Sequence, residues 1–283
     1  MAKLKPVGIV TAAAVLAASV AGTVAARSGV RIVPRTMFGP AFIHNTTGDN
    51  GERVRALQVG GAFQSATYMD ERRFEPCFEY YRAFDHVFEA SVPIKDMLMI
   101  GGGGFAYPKH VMSKRPEEVK MTVVEIDPAI VRIAKRWFYV DELIRRFDLE
   151  RTGRMKIEVT DGRDFLAAAP SSSFDAILND SFEGVAPTVG LLSVACLRQA
   201  KRVLRPGGIY MVNAVMFEEE LPLLNTYMEL LGEVFEHVCV IPCVDEEFSG
   251  AGNYLVIGSS QEHLFTGTSA RRTFESVQEK GRG

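Results

Sequence analysis

At 283 residues the chain has room for one large α/β domain with a small appendage, or for two small domains. Its 47% hydrophobic and 24% charged residues are the balance of a folded globular protein, which excludes wholesale disorder and low-complexity classes. With 32 basic against 35 acidic side chains the net charge is −3, not the basic excess that neutralises a phosphate backbone, so no nucleic acid partner is expected.

In chain order, the first feature is an uncharged run over residues 7–26 (VGIVTAAAVLAASVAGTVAA), flanked by Lys3 and Lys5 before it and by Arg27, Arg31 and Arg35 after it. Its length suits one membrane helix. Residues 1–35 are therefore expected to be a membrane anchor, and the arginines favour a cytoplasmic position for the rest of the chain. The run is only mildly hydrophobic, and Val24 and Ala26 suit a signal-peptidase site, so export after cleavage is the alternative. Residues 36–52, rich in Pro, Gly, Asn and Thr, read as a linker. Two β-favouring runs, 53–59 and 62–68, meet at Gly60-Gly61, a pair that permits the positive φ angles of a tight hairpin. Residues 78–90 (FEYYRAFDHVFEA) carry apolar positions at helical spacing, so 53–92 are expected to form a hairpin and helix appendage.

From residue 97 the pattern becomes strand, turn, helix, repeated, which predicts an α/β domain over 93–260 with a doubly wound, mainly parallel sheet. Seven strands are expected, over 97–100, 121–126, 155–159, 174–179, 209–213, 236–241 and 254–257. The main helices are expected over 129–138, 188–204 and 219–234, the second stopping at Arg205-Pro206-Gly207-Gly208. Residues 261–283 read as a flexible tail. Cys77, Cys196, Cys239 and Cys243 are too few for a disulfide framework and lack the spacing of a zinc site, so reduced thiols and no metal are expected.

Chemistry is suggested where the strands end. The strand over 97–100 runs into Gly101-Gly102-Gly103-Gly104 and a helix, a turn that lets backbone approach a ligand while the helix start offers N–H donors. Gly101, Gly103 and Ala106 even fill the G-x-G-x-x-A places of a dinucleotide fingerprint. Glu125 and Asp127 close the second strand, Asp161-Gly162 follow the third and Asp180 closes the fourth. Carboxyl ends of neighbouring strands in such a sheet line one crevice, so these acids converge. There Glu125 can accept from ribose hydroxyls and Asp161 from an adenine amine, which leaves Asp180 facing the reacting end. Any one of these acids could equally be a helix cap.

The runs GGGGFAYPKH, VVEIDPAIVRIAKRWF, VTDGRDFL and FDAILNDSFEG resemble the spermidine synthase family, aminopropyltransferases built on the S-adenosylmethionine methyltransferase fold. The segment ALQVGGAFQSATYMD with EPCFEYYRAFDHVFEA is similar to bacterial members of this family that are often joined to membrane segments. The resemblance implies a Rossmann-like seven-stranded fold with an N-terminal β-hairpin. It implies that Gln64 lines the active site, that Gly101, Gly102 and Gly103 wrap the sulfonium nucleoside, that Glu125 holds the ribose, and that Asp161 with Gly162 holds the adenine. Asp180 matches the acid that deprotonates the attacking amine, and Glu183 stands where a second acid of the motif holds the acceptor. The tyrosine beside the acceptor falls at Tyr80 or Tyr81. The family's glycine motif, G-G-G-D-G, departs here at its acid, which binds the donor's free amine: Gly104 takes its place.

The expected activity is aminopropyl transfer from decarboxylated S-adenosylmethionine, or a related transfer from S-adenosylmethionine, to a small amine acceptor. Gly104 keeps a methyltransferase open as the first rival. A nicotinamide oxidoreductase and a non-catalytic membrane-tethered sensor of a nucleoside or polyamine are the others, and assembly as a homodimer is left open.

Overall fold

A computed structural model describes residues 30–48, 51–115, 117–183, 186–187, 189–217, 220–243 and 251–274. The apolar run over 7–26 and residues 275–283 lie outside these, so the expected anchor helix does too. Among the described residues no helix is long and apolar enough to cross a membrane.

The chain opens with an antiparallel sheet of four strands in sequential order, β1 (Arg31–Thr36), β2 (Gly39–Thr47), β3 (Arg53–Val59) and β4 (Ala62–Tyr68). The expected hairpin is its second half, and Gly60 and Gly61 both adopt positive φ, +58° and +87°, as a mirror-image two-residue turn requires. The linker expected over 36–52 is corrected: most of it is β2, with Ala41 and Ile43 buried. Composition misled because Gly39 and Pro40 open β2, ahead of its first pair with β3 at Ala41, where proline is tolerated. The helix expected over 78–90 splits into an α-helix, Glu79–Ala83, and a 3-10 helix, Phe84–Glu89. Three residues per turn bring Phe84 and Val87, both fully buried, onto one side.

The main sheet has eight strands in the order β14-β12-β13-β11-β8-β5-β6-β7. Five are parallel neighbours: β7 (Met155–Val159), β6 (Lys120–Glu125), β5 (Asp96–Ile100), β8 (Phe174–Asn179) and β11 (Leu204–Phe217). Strand β13 (Ala251–Ser259) inserts antiparallel between β11 and β12 (His237–Cys243). A two-stranded hairpin, β9 (Phe182–Glu183) with β10 (Ala186–Pro187), follows β8. All seven expected strands are present. The eighth, β14 (Ala270–Thr273), corrects the reading of 261–283 as wholly flexible: it pairs with β12 along the sheet edge. All four of its side chains are exposed, so no apolar alternation announced it.

The helix expected over 188–204 is shorter, Val194–Val203, capped by the Ser193 hydroxyl, and the one expected over 219–234 is Leu223–Gly232. No loop follows the former, because β11 begins at Leu204 and takes up Pro206-Gly207-Gly208 in a register shift before Ile209. Residues alternating along the strands pack two cores, one on each face. Met97, Met99, Leu178 and Met211 meet Tyr81 and Phe84 on one side, while Leu98, Ile100, Ile177 and Val212 meet Leu197 and Leu231 on the other. All four cysteines are free thiols.

Candidate active site

The chain lays down β5, β6 and β7 in one direction and then returns to place β8 on the other side of β5. A crevice opens at the carboxyl ends of strands where winding reverses, and ligands of open α/β sheets bind there. The residues following β5 and β8 are the glycine turn and Asp180.

Gly101 leaves β5 with φ +94°, and a side chain on it would collide with the Asp180 carbonyl, so only glycine lets the two strand ends close on each other. The N–H groups of Gly102 and Gly103 donate to Glu125 Oε2 at 2.9 and 3.1 Å, and the Asp127 N–H donates to Oε1 at 2.9 Å. Burial pushes the Glu125 carboxyl above its usual range and these three donations pull it back. Glu125 therefore folds the turn against the end of β6. Phe105 follows in the left-handed region with φ +58°. Such a conformation is strained for a residue with a Cβ, and the complete burial of its ring offsets that strain.

Asp127 is not in the open crevice. Its Oδ1 accepts from the Ala129 N–H at 2.7 Å, capping the helix Pro128–Trp137, and its Oδ2 accepts from the Met37 N–H at 2.6 Å, which ties the β1–β2 turn to the main domain. Asp161 also caps a helix, Gly162–Ala168, and pairs with Arg163 at 2.7 Å. The Arg163 guanidinium holds the Asp161 carboxyl below the usual carboxylate range. Gly162 seats the start of that helix directly on Ile100 at the end of β5.

Gly104 lies under the hairpin. A side chain there would run into Ser65 and the Phe138 ring, so the position faces β4 and not open space. Gln64 is the extra residue of a bulge in β4, between the pairs Gln58 with Phe63 and Leu57 with Ser65, and its carbonyl lies over Gly103. Bulges re-aim side chains in this way beside sites.

Asp180 follows directly on the end of β8. It is half-buried, and burial pushes its carboxyl up to about 7, against the pull of the Asn213 amide, whose Nδ2 donates to Oδ1 at 2.9 Å. Tyr81 is close enough for the Asp180 charge to raise the pKa of its hydroxyl, a smaller effect than that of its own burial. Its ring lies 4.1 Å from that of Tyr80, so both tyrosines wall this end of the crevice. Glu183 is in β9, three residues beyond Asp180, but the position of its side chain lies outside what the structure describes.

Sequence reasoning missed Asn213 and Asn253, which join Asp180 in one hydrogen-bonded line. The signal was a lone asparagine inside the apolar run YMVNAVM, where a buried amide needs a reason.

A model of the spermine/spermidine synthase domain matches residues 77–264. Among curated relatives, a polyamine aminopropyltransferase of Thioalkalivibrio sulfidiphilus is 34% identical over 151 residues, 53% of this chain and 49% of that protein. Putrescine N-methyltransferase 2 of Nicotiana attenuata is 28% identical over 56% of this chain and 42% of its own. The chain thus spans about half the length of the curated relatives it matches. The fold is that of a probable spermidine synthase from Corynebacterium glutamicum, with a TM-score of 0.66 at 23% identity over 84% of this chain and 82% of that one. With the domain match running from ahead of the tyrosine pair to beyond β13, the chain belongs to the spermine/spermidine synthase family.

Proposed function

We propose that this chain transfers an aminopropyl group from decarboxylated S-adenosylmethionine to a small amine acceptor of the polyamine class, with Asp180 as general base. The observation that carries the reading is the Asp180 carboxyl, pushed by burial to about 7 at the switch point of the sheet, beside the glycine turn and against Tyr81. Amines with a pKa near 10 are mostly protonated at pH 7 and cannot attack. A base that titrates near the working pH is well matched to remove that proton. The freed lone pair attacks the carbon bound to the sulfonium, the C–S bond breaks, its electron pair stays on sulfur, and neutral methylthioadenosine leaves. Glu125 holds the ribose, and the backbone of Gly101, Gly102 and Gly103 lies along the nucleoside. Asp161 and Gly162 stand at the adenine end.

Methyl transfer is the second reading, favoured by Gly104, which puts no acid opposite the donor's amine and so does not select against a donor that keeps its carboxylate. Supplying the full-length chain with each donor and putrescine separates the two by mass spectrometry. Methylthioadenosine and spermidine support aminopropyl transfer, S-adenosylhomocysteine and a methylated diamine support methyl transfer, and neither product sinks both.

The same proposal takes residues 7–26 as a membrane tether with the catalytic part in the cytosol, where such donors are made. The β1–β2 hairpin after it exposes Ile32, Met37 and Phe38. Carbonate-washed membranes should retain the full chain; recovery of a chain starting at Arg27 outside the cell would establish export instead.

A further inference from the structure

We infer that Asn213 is the positioning residue of the Asp180 carboxylate and that Asn253 fixes which way round the Asn213 amide sits. The inference rests on the reading of Asp180 as the base. Val212 on β11 pairs with Asn179, the last residue of β8, so the next residue, Asn213, comes alongside Asp180. Leu178, Met211 and Leu255 pack in the same core, and side chains two apart share a face, so Asp180, Asn213 and Asn253 all project from the face that carries Tyr81. Asn253 is the diagonal neighbour of Asn213, two residues from Leu255, with which Asn213 pairs.

An amide has one accepting end and one donating end. The Asn253 Nδ2 donates to Asn213 Oδ1 at 3.0 Å, which commits the carbonyl, and the Asn213 Nδ2 then donates to Asp180 Oδ1 at 2.9 Å. Turned over, the Asn213 carbonyl would face a carboxylate. Asn213 is 2% exposed, so the protein and not bulk water sets its orientation. The line of amides therefore holds one carboxylate oxygen and leaves Oδ2 for the acceptor's proton. It also supplies a neutral donor: a cation at this place would favour the ionised form strongly and leave a weak base. Burial and the Asn213 amide set the Asp180 titration, and the Tyr81 hydroxyl, with Tyr80 beside it, lies near enough to feel the Asp180 charge. Asn179, one residue earlier, projects to the opposite face, where it bonds Tyr210 and Ser181 and plays no part.

The test is the pH dependence of methylthioadenosine formation by the full-length chain, with Asp180→Asn as reference. Asn213→Leu removes a donor to the charged form, so the acidic limb should move up by about one pH unit and the plateau should fall by about 10-fold or more. Asn253→Leu frees the amide to turn and should move the limb the same way by less. The double variant should match Asn213→Leu alone, because the two act in series. Affinity for methylthioadenosine should stay unchanged throughout. A fall in rate that is uniform across pH, with the limb unmoved, would overturn the inference while leaving the base in place. Turnover retained by Asp180→Asn would instead remove the base, and the inference with it. Should Asn213→Leu fail to fold, the half-buried Asn253 decides alone by the same criterion.

Discussion

The buried Asp180 carboxyl makes the same residue useful as a base and unfavourable for folding. In the unfolded chain it ionises near the ordinary aspartate value, whereas in the fold burial pushes it up to about 7. Between those values the folded state holds the proton that the unfolded state has lost, so stability falls as pH rises through that window and is level above it. Asp180→Asn should therefore be more stable than the parent at pH 8 by on the order of 2–4 kcal/mol and gain little at pH 4. Scanning calorimetry at the two pH values checks this, and an equal offset at both would mean that charge burial is not the cause. Glu125→Ala removes the acceptor of three backbone N–H groups and, on the proposed reading, of the ribose, and should weaken methylthioadenosine binding by about 1.5–3 kcal/mol in titration calorimetry. These acids were legible in the sequence because each follows an apolar run that ends at a turn. Their distant partners were not: that Asp127 is tied to Met37, or that Asn213 reaches Asp180, depends on elements far apart in sequence.

At the scale of elements, Gly104 shows how a motif departure is tied to its neighbours. A Cβ at this position would meet Ser65 on β4, so Gly104→Asp forces the hairpin away from the glycine turn and should lower stability by about 1–3 kcal/mol. Adding Ser65→Gly should recover part of that loss in a thermal melt. A single variant that keeps full stability and shifts its donor preference would instead mean that the position opens into the crevice. The central parallel strands β5, β6 and β8 were legible because they are largely buried and read as short apolar runs. Strands β1 and β14 were hidden by the opposite property: they lie on sheet edges, carry Pro, Thr or Arg, and owe their form to backbone pairing with neighbours. Strand β2 buries Ala41 and Ile43 but was hidden by the Gly, Pro, Asn and Thr around them. The break between the helix Glu79–Ala83 and its 3-10 continuation was also out of reach, because both periods place Tyr81, Phe84 and Val87 inward.

For the whole molecule, the sheet order creates the site: reversing the winding after β7 sets the ends of β5 and β8 side by side, and the four-stranded N-terminal sheet closes over them through Gln64, Ser65 and the Met37–Asp127 bond. The residues proposed to hold nucleoside and acceptor and to act as base thus come from both sheets and from the short helix that joins them. The measurement that bears most directly on this is methylthioadenosine formation from decarboxylated S-adenosylmethionine and putrescine by the full-length parent and by Asp180→Asn, followed from pH 6 to pH 9. The parent should turn over with an acidic limb near pH 7, and Asp180→Asn should be slower by about 10² to 10⁴ while binding methylthioadenosine as tightly. Equal turnover in the two proteins, or a parent that yields only S-adenosylhomocysteine when offered S-adenosylmethionine, would contradict aminopropyl transfer with Asp180 as its base.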